Sequence, residues 1–232
     1  MIRYAITDRA LFAGNNEERA ATLVALATDW AVQRIDYVQI REKDLAHGDL
    51  IRLSTRIVRA VREHGQHTQI LINTNLEAVL SIAVACGADG IHFHGGLSQA
   101  QLIETMAALR DALRPVSKRS TRSPLSVSCH SVADIRAARL AGATLALFGP
   151  VFEKVVDGRV LVEGIGLAAL AEACLAAGEV ASVPEIPVCA LGGVTSENAT
   201  VCLAAGAAGV AGIRLFAKRN QAPPSSLRSF LV

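Results

Sequence analysis

His130, in the phrase Ser128-Cys129-His130-Ser131, carries an imidazole. Unperturbed, that ring titrates at about pH 6.5 and so moves protons near neutrality. A helix cap or a packed side chain is the competing use of the same residue. Cys129 is its neighbour but points the opposite way on an extended chain, which weakens any Cys-His nucleophilic pair. In Gln39-Ile40-Arg41-Glu42-Lys43-Asp44 the residues Gln39, Arg41 and Lys43 alternate, so an extended chain turns all three one way. They form a cationic hand for an anion, unless Glu42 and Asp44 neutralise it in ion pairs. Leu191-Gly192-Gly193-Val194, ahead of Thr195, Ser196 and Asn198, offers backbone N–H groups beside a helix start, which is how phosphates are held. Gly209 and Gly212 permit similar backbone approach, and Arg214 can add a bidentate contact. A turn that needs positive φ is the plainer use of such glycines. His92 and His94 share a face and could join His130 on a metal, but no HExxH or cysteine-rich spacing accompanies them. Mouth-lining polar side chains are their ordinary interpretation.

Those residues need a frame to bring them together. The chain has 232 residues, 51% hydrophobic and 19% charged, enough for one large core and too apolar for disorder. A net charge of +2 gives no overall field to recruit nucleic acid or a membrane surface, so a small-molecule partner is expected. Five cysteines form no CxxC pair and read as thiols of a reducing compartment, the cytoplasm. No signal-peptide pattern opens the chain, and no apolar run reaches the ~18 residues of a membrane span.

Three similar stretches supply the architecture: Cys86-Gly87-Ala88-Asp89-Gly90-Ile91-His92-Phe93, Ala141-Gly142-Ala143-Thr144-Leu145-Ala146-Leu147-Phe148, and Ala205-Gly206-Ala207-Ala208-Gly209-Val210. Each closes an alanine-rich helix with a glycine suited to the left-handed position, then opens an aliphatic strand. Strands are expected at Tyr4 to Thr7, Tyr37 to Arg41, Ile70 to Asn73, Gly90 to Phe93, Leu125 to Ser128, Leu145 to Phe148, Val188 to Leu191 and Val210 to Ile213. Amphipathic patterns alternate with them, the last running from Ser196 to Ala205. Unalternated aliphatic strands are buried on both faces, and this order predicts a single (β/α)8 TIM barrel, with an open doubly wound sheet as the alternative. The barrel domain is placed at residues 1–218 and a tail at 219–232. A truncated final helix leaves an apolar edge, so a homo-oligomer is expected. The basic stretch Pro115 to Pro124 reads as a solvated loop on the strand-entry side. A barrel gathers residues from the carboxyl ends of its strands at one mouth, which would unite the candidates named above.

The phrases Tyr4-Ala5-Ile6-Thr7-Asp8, Gln39 to Asp44, Leu71-Ile72-Asn73, Gly87 to His92, Ser126 to Ser131, Phe148-Gly149-Pro150-Val151-Phe152 and Ala190 to Val194 occur in order. Together they resemble the thiamine phosphate synthase and thiazole tautomerase superfamily. The resemblance implies a (β/α)8 barrel of thiamine biosynthesis. Its synthases use magnesium to neutralise a leaving pyrophosphate, and hard Mg²⁺ wants carboxylate oxygens. Here the family's Asn-Asp pair is Asn73-Thr74, and its acidic run after the histidine is His94-Gly95-Gly96-Leu97. Phe152-Glu153 looks like the tautomerase version of the next loop. The resemblance therefore implies a metal-independent thiazole phosphate tautomerase without cofactor. Its alternatives are a synthase with a rearranged Mg²⁺ site and a non-catalytic phosphate-binding regulator. By that resemblance His130 is the acid or base on a carboxylated thiazole phosphate. Gln39, Arg41, Lys43, Asn73, His92, Ser128 and Glu153 bind the substrate, and Gly192, Gly193, Gly212, Ile213 and Arg214 hold its phosphate.

Overall fold

A computed structural model describes residues 1–65, 67–96, 98–113, 123–156, 159–178 and 183–217. Eight parallel strands close into a barrel: β1 (Ile2–Ile6), β2 (Tyr37–Ile40), β3 (Gln69–Ile72), β4 (Gly90–Phe93), β5 (Leu125–Cys129), β6 (Leu145–Phe148), β9 (Val188–Ala190) and β10 (Gly209–Gly212). Closure is made by β10 against β1, with Ile2 opposite Gly209 and Ala5 opposite Gly212. The helices are α1 (Asn16–Val32), α2 (His47–Glu63), α3 (Leu76–Cys86), α4 (Gln99–Leu113), α5 (Val132–Leu140), α6 (Gly166–Ala176) and α7 (Ala199–Ala204). Among the described residues, β10 is followed by a short 3₁₀ helix, Arg214–Phe216, tied to α1 by Trp30 Nε1 donating to the Phe216 carbonyl at 3.0 Å.

The strand sequences explain the closed form. Successive side chains alternate between the barrel interior and the helical shell, and both sides are dry, so each must be apolar or find its partners within the protein. The outer set, including Ala5, Val38, Ile70, Ile72, Ile91 and Val127, packs against Leu23, Leu53, Ile57, Ile82 and Ile135 of the helices. The inner set is smaller: Tyr4, Ile6, Leu145, Leu147, Cys189 and Ala211. Each fully buried leucine or isoleucine contributes roughly 1.5–3 kcal/mol of transfer free energy, so the two layers together dominate the fold. Helix starts are marked locally. Asn15 with Glu18, and Ser131 with Asp134, form reciprocal capping boxes ahead of α1 and α5. The glycines expected to end helices do so, Gly87, Gly142 and Gly206 standing at φ +72°, +79° and +98°.

Three local expectations differ. The strands stop one residue earlier than expected at several places, leaving Thr7, Arg41, Asn73, Leu191 and Ile213 just beyond β1, β2, β3, β9 and β10. Helix α7 begins at Ala199 rather than Ser196, because the Asn198 side chain bonds to Thr195 N and the Gly193 carbonyl and holds the chain in a turn. An antiparallel hairpin, β7 (Lys154–Val156) with β8 (Arg159–Val162), leaves the barrel after β6 and was not expected. The basic stretch at 115–122 and the tail at 219–232 lie outside the described residues.

Candidate active site at the barrel mouth

Inside the barrel, one arc is polar. Tyr4 donates its hydroxyl to Gln39 Oε1 at 3.0 Å and stands 3.0 Å from Ser126 Oγ. Ser126 Oγ is 2.8 Å from His92 Nδ1, and His92 Nε2 is 2.9 Å from Ser128 Oγ. These five side chains come from β1, β2, β4 and β5, and the register puts Ile6 beside Gln39 and His92 beside Ser126. Burial, reinforced by the nearby charges of Arg41 and His94, pushes the His92 imidazole down to about 3, so it is neutral at any ordinary pH. Gln39 and His92 are 1% and 3% exposed, and their partners are protein groups below the mouth. Ser128, half-buried, is the member of the set that reaches upward.

His130 lies one turn of alternation above Ser128 and is exposed. Its Nδ1 donates to the Gly149 carbonyl at the end of β6, so in the neutral ring Nε2 carries the lone pair. Its backbone N–H is held by Asp134 at 2.8 Å. Gly95, in the loop after β4, faces the ring edge: a Cβ there would stand 3.2 Å from His130 Cδ2 and 3.3 Å from Nε2. Gly95 thus lets the loop after β4 lie against the ring without crowding Nε2, a role its sequence neighbours His94 and Gly96 do not announce. Cys129 points into the outer core, as alternation requires, and burial pushes its thiol up to about 12, which removes it as a nucleophile.

The cationic hand divides. Arg41 is half-buried and its backbone N–H donates to Thr7 Oγ1 at 2.9 Å. Lys43 is exposed on the turn before α2, outside the alternating strand. Glu42 and Asp44 are both taken by Arg9, which the sequence reading passed over: Arg9 bonds Glu42 at 3.1 Å and Asp44 at 2.6 Å and 2.7 Å. The hydrogen bonds Arg9 donates to Asp44 first, against the cost of burial, and to Glu42 hold its guanidinium above its ordinary range. Glu42 and Asp44 are therefore ion-paired, but with Arg9, and they do not neutralise Arg41 and Lys43 as the competing expectation had it. Among the described residues no carboxylate lies at ion-pair distance from Arg41 or Lys43. Asn73 is buried at the end of β3, and its backbone N–H belongs to Ile40. Glu153 is exposed just ahead of the hairpin.

On the opposite side, Gly192 and Gly193 have φ +90° and +63°. A Cβ on Gly192 would sit 2.5 Å from Pro150 Cα, and one on Gly193 2.7 Å from Phe152 Cβ. Both glycines are thus required by backbone conformation and by the loop after β6, whose Phe152 N–H bonds the Gly192 carbonyl. Gly212 and Ile213 lead into the 3₁₀ helix at Arg214, whose side chain is exposed. Loops after the seventh and eighth barrel strands, here β9 and β10, with a short extra helix, form the commonest phosphate cradle of such barrels.

Magnesium finds poor donors here. Glu42 and Asp44 are bound to Arg9, and Asp8 caps the turn at Ala10. Among the described residues no three His, Cys, Asp or Glu side chains gather where they could hold a metal ion. At the ends of β3 and β4 stand Asn73, Thr74 and His94, which supply no carboxylate, the charged oxygen ligand a hard divalent cation favours.

A single (β/α)8 barrel with polar side chains gathered at the carboxyl ends of its strands is a common scaffold of small-molecule enzymes. The thiamine monophosphate synthase family matches residues 3–216, and the chain belongs to that family. A Geobacter sulfurreducens protein named "Putative thiamine-phosphate synthase" is 33% identical over 214 residues, covering 90% of this chain and 83% of the relative. A Methanoregula boonei thiamine-phosphate synthase is 29% identical over 212 residues, covering 90% and 82%. Among solved structures, a Pyrococcus furiosus thiamine phosphate pyrophosphorylase shares the fold, with a TM-score of 0.68 at 21% identity over 99% of this chain and 95% of that one. The protein is an enzyme-family member of thiamine biosynthesis. Among the described residues no helix is long and apolar enough to cross a membrane.

Proposed function

We propose that this barrel is a metal-independent thiazole phosphate tautomerase, with His130 as the acid and base that moves the proton. The observation that carries the reading is the fixed ring of His130. Nδ1 is committed to the Gly149 carbonyl, and Nε2, beside Gly95, keeps its lone pair in the neutral ring. Such a nitrogen accepts a proton from one carbon of a bound thiazole and returns it at another. The backbone after β9 and β10, at Gly192, Gly193, Gly212 and Ile213 with Arg214, holds the phosphate. Arg41 and Lys43 take the carboxylate, while Asn73, Ser128 and Glu153 line the ring; Gln39 and His92 act from beneath it. No step needs a metal, which fits a mouth poor in free carboxylate. The five free cysteines suit a reducing cytoplasm, and exposed Leu175 and Val201 on α6 and α7 support self-association.

Purified protein mixed with carboxylated thiazole phosphate in excess EDTA should convert it to the aromatic tautomer, read as a change in ultraviolet absorbance. No conversion under EDTA, with turnover of pyrimidine pyrophosphate and thiazole phosphate once Mg²⁺ is added, would instead establish synthesis of thiamine phosphate. The names of the relatives favour that second reading.

A further inference from the structure

The hydrogen bonds inside the barrel can run in only one direction. Gln39 Oε1 is an acceptor, so the single Tyr4 hydroxyl proton is spent on it. Tyr4 then has only lone pairs for Ser126, and the Ser126 proton must go to Tyr4. With that proton used, Ser126 Oγ can only accept from His92, which makes Nδ1 the protonated nitrogen. Tyr4, Gln39, Ser126 and His92 are all at most 3% exposed, so no solvent can reverse a link. Burial beside Arg41 and His94 keeps the ring neutral, so Nε2 bears a lone pair and receives the Ser128 proton.

We propose that Tyr4, Ser126 and His92 are positioning residues. Their one-way chain, anchored on Gln39, presents Ser128 Oγ to the mouth as a pure hydrogen-bond acceptor, selecting a donor on the ligand face seated there. A ligand carboxylate is thereby turned away from Ser128 and toward Arg41 and Lys43. The proposal rests on the reading that the mouth binds a thiazole, yet its first test needs no ligand.

In ¹⁵N-histidine-labelled protein, long-range ¹H–¹⁵N spectra, assigned by loss of signal in His92→Asn, should show His92 as the neutral Nδ1–H tautomer from about one unit below the free imidazole value of about 6.5 to about one and a half units above it. In Gln39→Leu, Tyr4 is free to donate to Ser126, and the Nε2–H form should gain about tenfold, the worth of roughly one net hydrogen bond. Should that variant fold poorly, Tyr4→Phe gives the same release. Neutral probes then read Ser128: 2-aminothiazole should bind about tenfold more tightly than 2-acetylthiazole in the parent protein and lose that advantage in Gln39→Leu. An Nε2–H or doubly protonated His92 in the parent protein overturns the proposal. So does a tautomer that ignores both substitutions, or a 2-acetylthiazole that binds as well as the amine. Failure of tautomerase turnover leaves the ligand-free tautomer result standing, so the two readings fail separately.

Discussion

The barrel interior has two unlike halves. Facing inward from β6, β9 and β10 are Leu145, Leu147, Cys189 and Ala211, a filler whose contacts have no direction. Facing them from β1, β2, β4 and β5 are Tyr4, Gln39, Ser126 and His92, joined by hydrogen bonds that fix both place and polarity. Dispersion and transfer free energy hold the first half, and a swap of similar volume there is tolerated. In the second half every group removed strands a buried partner. Most of the side chains proposed to act on the substrate rise from the directional half, while the proposed phosphate cradle rises from the apolar one, where backbone conformation would matter most.

Substitutions on each side sharpen this contrast. The largest loss of stability is expected at the rim of the polar half. Arg9→Ala leaves Glu42, whose side chain is 2% exposed, buried without its cation. Breaking such a pair costs about 3–5 kcal/mol, seen as a fall in the urea midpoint. Leu147→Ala opens a hole in the apolar half and should cost roughly 3 kcal/mol, with turnover per folded molecule retained. A loss of turnover larger than the loss of folded protein would break the distinction between filler and frame.

A pH effect follows from His92 alone. Its folded value, about 3, lies below the unfolded one, so the unfolded chain binds the extra proton as pH falls. Stability is complete above about pH 6.5 and declines through acid toward pH 3, by about 2 kcal/mol at pH 5. Denaturant titrations at pH 7.5 and 5 should show that difference, and His92→Asn should flatten it. An equal acid loss in the variant would place its origin elsewhere.

The barrel was legible because its determinants are local. Aliphatic runs, left-handed glycines after helices and Ser or Asn caps each announce themselves within a few residues. At or just past the strand ends, Arg41, Asn73, Ser128 and His130 were legible by the same logic, since strand position fixes which mouth they reach. The hairpin after β6 also carries a local sequence signal, for Asp157-Gly158 is a turn-forming dipeptide type with Val155, Val156 and Val160 on either side. Arg9 and the Tyr4–Ser126 bond carry none. Their partners lie 33 to 35 and 122 residues away, and a buried polar pair leaves no periodic trace in either segment.

Tautomerisation by His130→Gln in excess EDTA tests the central claim most directly. Glutamine keeps a polar group of similar reach but cannot shuttle a proton. The account predicts a rate lower by about two to four powers of ten, with thiazole phosphate affinity by calorimetry within about threefold of the parent. Undiminished turnover in that variant would contradict it.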